Sequence, residues 1–587
     1  MKIKSVFCCT CLSLLFSIGL QSQEIDASRL VNWDHAGLTD NFEISNLVLN
    51  FVELGGDPSG QNSNSDLLSE LINMYSANGV EIFFPDGEYF FDQSIYLNSN
   101  IQLTGSSTAG TQFIFDLQGT GNCFNLVGTA EATSTFVTAD VAFKDNALQV
   151  SSHELSNGDH LVLNPIDTHF VTSSWAEKST GQCVTVASAD INNISLNEEL
   201  RRAYSSEYPI ELIKLEPIKN VSIENLTIVR VDSTEQQTSN IYIRDAYNCN
   251  VSCIESYDCN FAHITIHRSH HIKVKDCFFK DAHAYGGGGQ GYGVVLQFAA
   301  SDCLITENSF DHLRHSLLLQ AGPNGNVCSY NYSTNPFWVT QDLPEDSAGD
   351  LVLHGNYPYA NLFEGNVVQT IVIDRSHGKS GPLNTFFRNR AELYGLFMSN
   401  SDPTNRQNFI GNEISNYNSD HGLYYINGED HYEYGNHVQD DIFPFGTDNM
   451  TISSLYQNDV SSFYITHNAW PPIGLPNLMN EHKIKVQSVV DTNTSLCDAI
   501  NDVIPSPQDL DDIIVFPNPV NGILSIVGIA IEEIDDIIVF NAKGQIVVNF
   551  DSPASTKMNL SSLQSGIYFL KIRNKKGVIY RKPLVKI

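Results

Sequence analysis

Glu364-Gly365-Asn366, Phe387-Arg388-Asn389, Ile410-Gly411-Asn412 and Tyr434-Gly435-Asn436 are four returns of one tripeptide pattern, and the Asn closing each belongs to a longer series. Asn308, Asn331, Asn366, Asn389, Asn412 and Asn436 are separated by 23, 35, 23, 23 and 24 residues, and Asn225 and Asp276 extend the series upstream. A fixed period of this size is the mark of stacked structural units. Asn tolerates left-handed backbone at sharp corners, and stacked Asn amides bond to one another. The intervening residues are rich in Val, Ile, Phe and Tyr and lack a 3.6-residue period, which disfavours helical pairs. The pattern predicts an all-β chain: a right-handed parallel β-helix of about 23 residues per coil with Asn at one corner. The 35-residue gap is then one coil with an inserted loop.

The chain has 587 residues, and a solenoid absorbs most of that length as one domain. Asp and Glu number 67 against 32 Lys and Arg, for a net charge of −35. That excess argues against nucleic acid or an anionic membrane as partner and fits solubility outside the cell. Lys2 and Lys4 precede an apolar run from Val6 to Leu20, then Gln21-Ser22-Gln23, which reads as a signal peptide over residues 1–23. No later segment approaches 18 consecutive apolar residues, so no membrane insertion is expected. Nine of the 12 Cys lie beyond that leader. Cys277, Cys303 and Cys328 fall near the Asn corner and read as a stack of small buried side chains rather than as disulfide or metal ligands.

The solenoid domain is placed at residues 24–500. Asp66 to Tyr75 reads as a short helix whose Leu67, Leu68, Leu71 and Ile72 cap the open end of the stack. Residues about 130–215 break the 23-residue pattern and read as an inserted β lobe, with Trp175, Tyr204 and Tyr208 in its loops, able to stack on sugar rings or to pack the lobe down. Gly55-Gly56-Asp57 before the helix, the turn Phe84-Pro85-Asp86-Gly87-Glu88-Tyr89 and the step Leu103-Thr104-Gly105 resemble the pectate lyase superfamily over roughly residues 45–480. That resemblance implies a right-handed β-helix, usually one acting on extracellular polysaccharide, without identifying a reaction. Residues 501–512 form an acidic, Pro-containing linker. Residues 513–587 read as some seven short strands of a small β-sandwich. Phe516-Pro517-Asn518-Pro519, Asn521-Gly522, Leu563-x-x-Gly566-Ile567-Tyr568 and a basic ending resemble the C-terminal sorting domain of the type IX secretion system. The resemblance implies the type IX machinery as a partner and a secreted or cell-surface destination.

Six segments align by their apolar first and third residues: Ile241–Arg244, Ile264–His267, Val294–Gln297, Leu317–Gln320, Leu351–His354 and Ile371–Asp374. The fourth residue of each points outward and reads Arg244, His267, Gln297, Gln320, His354, Asp374. Coils about 4.8 Å apart make this a polar stripe roughly 24 Å long, enough for several sugar units. His263, Arg268, His315, Arg375, His377 and Lys379 thicken it, and Tyr285 to Tyr292 is a Gly-rich loop suited to the rim of a groove.

An enzyme that cuts an acidic glycan by β-elimination must neutralise a uronate carboxylate and remove the neighbouring proton. His267 and His354 are the candidate bases, Arg244, Arg268 and Arg375 the neutralising cations, and Asp374 the single acid of the stripe. Gln297, Gln320, His315, His377, Lys379 and Trp175 are candidate substrate-binding residues. The leading expectation is a polysaccharide lyase, or a related epimerase, that is monomeric and needs neither cofactor nor metal. Two alternatives stay open. One is a glycoside hydrolase, which needs a second carboxylate roughly 5 to 10 Å from the first; Asp350 lies roughly 13 Å along the strand, leaving loop acids such as Glu345 or Asp346. The other is a non-catalytic surface protein that binds glycan.

Overall fold

The structure is a computed structural model. It describes residues 25–39, 42, 45, 47–75, 79–340, 348–399, 403–418, 421–457, 462–467, 469–491, 495–497, 514–516, 520–527, 531, 534–541, 546–551, 553, 555–575 and 579–586. The expected signal peptide, the linker and the loop acids Glu345 and Asp346 lie outside them. The chain forms two compact units, Met1–Cys497 and Asp498–Ile587.

The first unit is a right-handed parallel β-helix built on one 32-stranded sheet. Strands stack in parallel register in three columns. One runs through Phe124–Val127, Ser239–Arg244, Ala262–His267, Tyr292–Gln297, His315–Gln320, Leu351–Leu353 and Val367–Ile373. A second runs through His270–Lys275, Leu304–Thr306, Val327–Ser329, Leu362–Glu364, Thr385–Phe387 and Asn408–Ile410. A third includes Phe278–Ala282, Ser309–Asp311 and Tyr332–Thr334. Inward-facing residues of successive coils stack on their own kind. Phe363, Phe386 and Phe409 lie with ring centroids 4.9 and 5.4 Å apart and planes within 12°. The helix Ser65–Tyr75 closes one end by burying Leu68, Leu71 and Ile72 in the same core.

The Asn series is a continuous amide ladder in the corner between the second and third columns. Asn308 donates its side-chain amide to Asn331 Oδ1, Asn331 to Asn366, Asn366 to Asn389, Asn389 to Asn412 and Asn412 to Asn436, at 2.8–3.1 Å. The same oxygens accept the backbone N–H of the preceding coil's Asn. Backbone groups that a bend leaves unpaired are thereby satisfied where water cannot reach. Two corrections follow. The left-handed residue is the one before each Asn: Glu307, Tyr330, Gly365, Arg388, Gly411 and Gly435, with φ from 53° to 68°. Asn225 and Asp276, with φ of 56° and 53°, belong to that left-handed row and not to the amide ladder, one position away. Cys277, whose N–H donates to Asn308, tops the ladder instead.

A second ladder, not read in the sequence, holds the other end of the second column: Asn326 to Asn361, Asn361 to Asn384, Asn384 to Gln407. Cys303 tops this one, so Cys277, Cys303 and Cys328 are buried and free but do not form a single stack. The described residues between Ser454 and Cys497 contact the left-handed corner as a strap. Ser454 and Leu455 bind Glu364, Lys485 reaches Asp276 and Glu307 at 3.1 and 3.2 Å, and Cys497 is disulfide-bonded to Cys253. Nothing in the spacing of the Cys residues pointed to that bridge, whose partners are 244 residues apart.

The lobe is a six-stranded antiparallel sheet spanning Thr129–Phe136 to Ile210–Glu216, with its own core around Leu161, Val184 and Leu212. In the second unit, a three-stranded and a four-stranded sheet share a core that includes Leu524, Ile537, Val539, Met558 and Leu570.

Candidate functional site

Pairing along the first column places the six outward residues one above another. Arg244 is opposite His267, His267 opposite Gln297 and Gln297 opposite Gln320. The registers of Leu319 on Leu353 and of Leu353 on Ile373 carry the row on to His354 and Asp374. The first five sit at strand ends because the next residue turns left-handed: Asp245, Arg268, Phe298, Ala321 and Gly355 have φ between 46° and 82°.

Neighbours in this row bind one another. Gln320 Nε2 donates to Gln297 Oε1 at 3.0 Å, and His354 Nδ1 lies 2.6 Å from Asp374 Oδ2. A carboxylate only accepts, so His354 Nδ1 carries a hydrogen, and in the neutral tautomer of this ring Nε2 is the nitrogen with the lone pair. Asp374 also accepts Ser376 N–H at 2.8 Å. Burial raises the Asp374 pKa, but the charge and hydrogen bond of His354 outweigh it, and the carboxyl is held below its ordinary value. At the other end, Arg268 grips Asp245 through two hydrogen bonds of 2.6 and 3.0 Å, and Arg244 lies 3.6 Å from the same carboxylate. Between these poles His267 stacks on Phe298, centroids 4.2 Å apart and planes 16° from parallel. Burial, then the charges of Arg268 and Arg244, push His267 down to about 3, so its ring is neutral.

The lobe supplies the facing wall. Trp175, 43% exposed, meets His377 and Phe298 edge-on at 5.2 and 5.8 Å, and His377 meets His354 at 5.0 Å. Burial and the neighbouring His354 lower the His377 pKa. A cavity of about 460 Å³ lies among Trp175, Gly288, Gly289, Gln297, Gln320 and His354. A second, of about 310 Å³, lies among Arg314, Trp338, His354, Val372 and Asp374. His354 and Arg314 border both. The sequence reading missed Arg314. Its guanidinium donates to Gly286 O at 2.6 Å and lies 4.4 Å from the Trp338 ring, which places it beside His354 from outside the aligned row. Its place just before the strand His315–Gln320, facing the Gly-rich loop, was the available signal.

Other expected residues fall elsewhere. His315 is buried, its Nδ1 on Gly349 O, and only borders the second cavity. Arg375 and Lys379 stand exposed on the turn after Asp374 and line neither cavity. His263 is fully buried between Ser256 Oγ and Asp281 O. Asp350 is buried and accepts Gln369 and Thr370 N–H, so it is a backbone clamp and not a second groove acid. Tyr204 is buried against Tyr359, whereas Tyr208 remains exposed on the lobe.

These burials set an acid sensitivity. Burial pushes His263 and His315, like His267, down to about 3, while it raises Asp350 and Glu364 to about 7. Between pH 5 and 6 the three histidines take up protons on unfolding and the two carboxyls release them, leaving a net uptake of about one proton. These five groups therefore make stability fall as pH drops through this window, by about 1.4 kcal/mol per unit, and the buried His160, pushed down to about 4, acts in the same direction. Urea midpoints measured at pH 6 and pH 5 should fall in that order; a rise on acidification would reverse the sign.

Residues 514–586 match the secretion system C-terminal sorting domain family. The chain therefore carries a type IX export signal and is directed to the exterior or the cell surface. No curated protein sequence matches the chain. Among solved structures, the tailspike of Pseudomonas phage phi297 aligns at 14% identity over 67% of this chain and 75% of that one, with a TM-score of 0.50. The tailspike protein of Pseudomonas phage LKA1 aligns at 16% identity over 63% of this chain, TM-score 0.47, and this chain spans 64% of its length. An exopolygalacturonase from Thermotoga maritima aligns at 10% identity over 69% of this chain and 95% of that one, TM-score 0.36. At these identities the likeness is one of fold.

Proposed function

We propose that the protein is a secreted polysaccharide lyase, or a related epimerase, that acts on an acidic glycan lying along the row from Arg244 to Asp374. The observation that carries this reading is the His354–Asp374 pair at the junction of the two cavities. Asp374 holds the His354 ring so that Nε2 faces outward as a base, and it stabilises the imidazolium formed when a sugar carbon gives up its proton. His267 is a poorer acceptor, because a base whose conjugate acid titrates near 3 gains little from protonation at neutral pH. It serves better as an aromatic floor, with Phe298.

The proton next to a uronate carboxylate becomes acidic only when the carboxylate charge is offset. Arg314 is placed for this beside His354, whereas the Arg268 fork is engaged by Asp245. Arg244 and Arg268 together outweigh Asp245 by one positive charge and suit a neighbouring sugar of the same polyanion. Gln297 and Gln320 present amides to hydroxyls, and Trp175 a face to a sugar ring. Arg375 and Lys379 fit the capture of an acidic chain from solution.

The hydrolase reading has less support. Asp374 is the only carboxylate among the described residues lining the two cavities, and it is ionised and committed to His354. A panel of acidic glycans incubated with the mature protein should yield products absorbing in the unsaturated-uronate band, or uronates of inverted C5 configuration. Saturated reducing-end products would indicate a hydrolase, and binding without product a glycan-binding surface protein.

A further inference from the structure

Where the lobe meets the solenoid, three nitrogen and oxygen donors converge. Glu198 comes from the lobe, and His270 and His271 open the solenoid strand His270–Lys275. All three are buried, and one donor atom from each lies within 4.8 Å of the others. A second lobe residue, the buried His160, adjoins them with Nδ1 3.2 Å from His270 Nε2.

The hydrogen bonds do not exhaust these donors. His271 Nδ1 lies 3.0 Å from Gly37 O, a carbonyl that only accepts, so the hydrogen sits on Nδ1. His271 Nε2 is then directed at Glu198 Oε1 across 3.8 Å, too long for a hydrogen bond. His270 Nδ1 is buried with no hydrogen-bond partner among the described residues. Glu198 is itself oriented from outside, its Oε2 accepting Thr185 N–H at 2.8 Å. Ligands that bind zinc at 2.0–2.1 Å stand about 3.3 Å apart around a tetrahedron, so the 3.8 Å gap would close by about half an ångström. Two imidazoles and one carboxylate favour a zinc-type ion over calcium or magnesium, which take all-oxygen shells.

We propose that Glu198, His270 and His271, with His160 in reserve, form a structural site for a divalent zinc-type ion that clamps the lobe to the solenoid. Such an ion would satisfy a buried carboxylate and the unpartnered nitrogens together, and would fix the lobe that carries Trp175. The competing arrangement is a metal-free imidazolium–carboxylate pair between His271 and Glu198.

The test uses the full mature chain with any affinity tag removed. It is loaded with zinc, dialysed, and analysed for metal by mass spectrometry and for thermal unfolding. The expected result is about one zinc per chain, a chelator-induced fall in Tm of at least about 5 °C that zinc reverses, and visible absorption bands after cobalt substitution. Glu198→Gln and His271→Gln should each lower zinc content at least about tenfold. The wild-type chelation and reloading arms decide the matter even if a variant fails to fold. Less than about a tenth of an equivalent bound after loading, with Tm indifferent to chelator and zinc, would overturn the site in favour of the metal-free pair. Full zinc retention in both variants would place the ion elsewhere and overturn it equally.

Discussion

His354→Ala is expected to lower kcat on the acidic glycan by about three orders of magnitude while leaving KM within a few-fold of wild type. General-base removal costs about 10²–10⁴ in rate, and His354 is the base with its tautomer fixed and its Nε2 free. Substrate affinity should persist because Gln297, Gln320, Trp175 and Arg314 remain around the cavities. Asp374→Asn should be milder, at about 10–100-fold, because the amide can still hold the ring but no longer offsets its positive charge. Arg314→Ala should combine a higher KM with a lower kcat, since its charge acts on the bound carboxylate and on the developing carbanion alike. Steady-state kinetics on a defined oligosaccharide separates these patterns. His354→Ala at near wild-type rate, with His267→Ala inactive, would move the chemistry three coils up the row.

Asn366→Ala should destabilise the solenoid unit by about 3–5 kcal/mol. The Asn366 side chain donates to Cys328 O and to Asn389 Oδ1 at 2.8 Å each, and accepts from Asn331 N at 3.1 Å and Asn331 Nδ2 at 2.9 Å. Alanine leaves the Asn331 backbone N–H without its acceptor in a corner closed to water, at about 1–3 kcal/mol, and removes three further hydrogen bonds at about 0.5–1.5 kcal/mol each, although Asn331 Nδ2 keeps Ile305 O. The break also divides a chain of polarised amides, so the neighbours weaken as well. Asn366→Asp is expected to cost at least as much, because a carboxylate cannot donate to either oxygen and would be buried among acceptors. Urea unfolding of the mature chain reads both variants. A loss under about 1 kcal/mol for alanine would show that water or backbone relaxation replaces the ladder.

The solenoid was legible because its constraint is periodic in the sequence. A buried corner amide has few substitutes, so Asn returned at one spacing from Asn308 to Asn436, and alternating apolar residues then fixed which side chains of Ile241–Asp374 share a face. The errors arose where one position changes the environment. Asn225 and Asp276 have the right chemistry but sit in the left-handed row, where a short polar residue is favoured for its backbone alone. His263 and Asp350 lie at the starts of the same strand segments but are buried, held by Ser256 and Asp281 O and by the N–H groups of Gln369 and Thr370, partners that residue type does not reveal. Arg314, Trp338 and the Cys253–Cys497 bridge depend on how loops and the strap fold across the coils, and such contacts between segments far apart in sequence leave no local periodicity. The second ladder, Asn326 to Gln407, shares the repeat of the first but ends in Gln, which hid it among ordinary polar residues.

The most direct measurement of the central claim is a crystal structure of the His354→Ala protein soaked with an acidic oligosaccharide it no longer turns over. The account predicts sugar density along the outer row between His267 and Asp374, with a uronate carboxylate at Arg314 and its neighbouring C–H directed at position 354. Density confined to another surface, or an empty groove at saturating oligosaccharide, would contradict it.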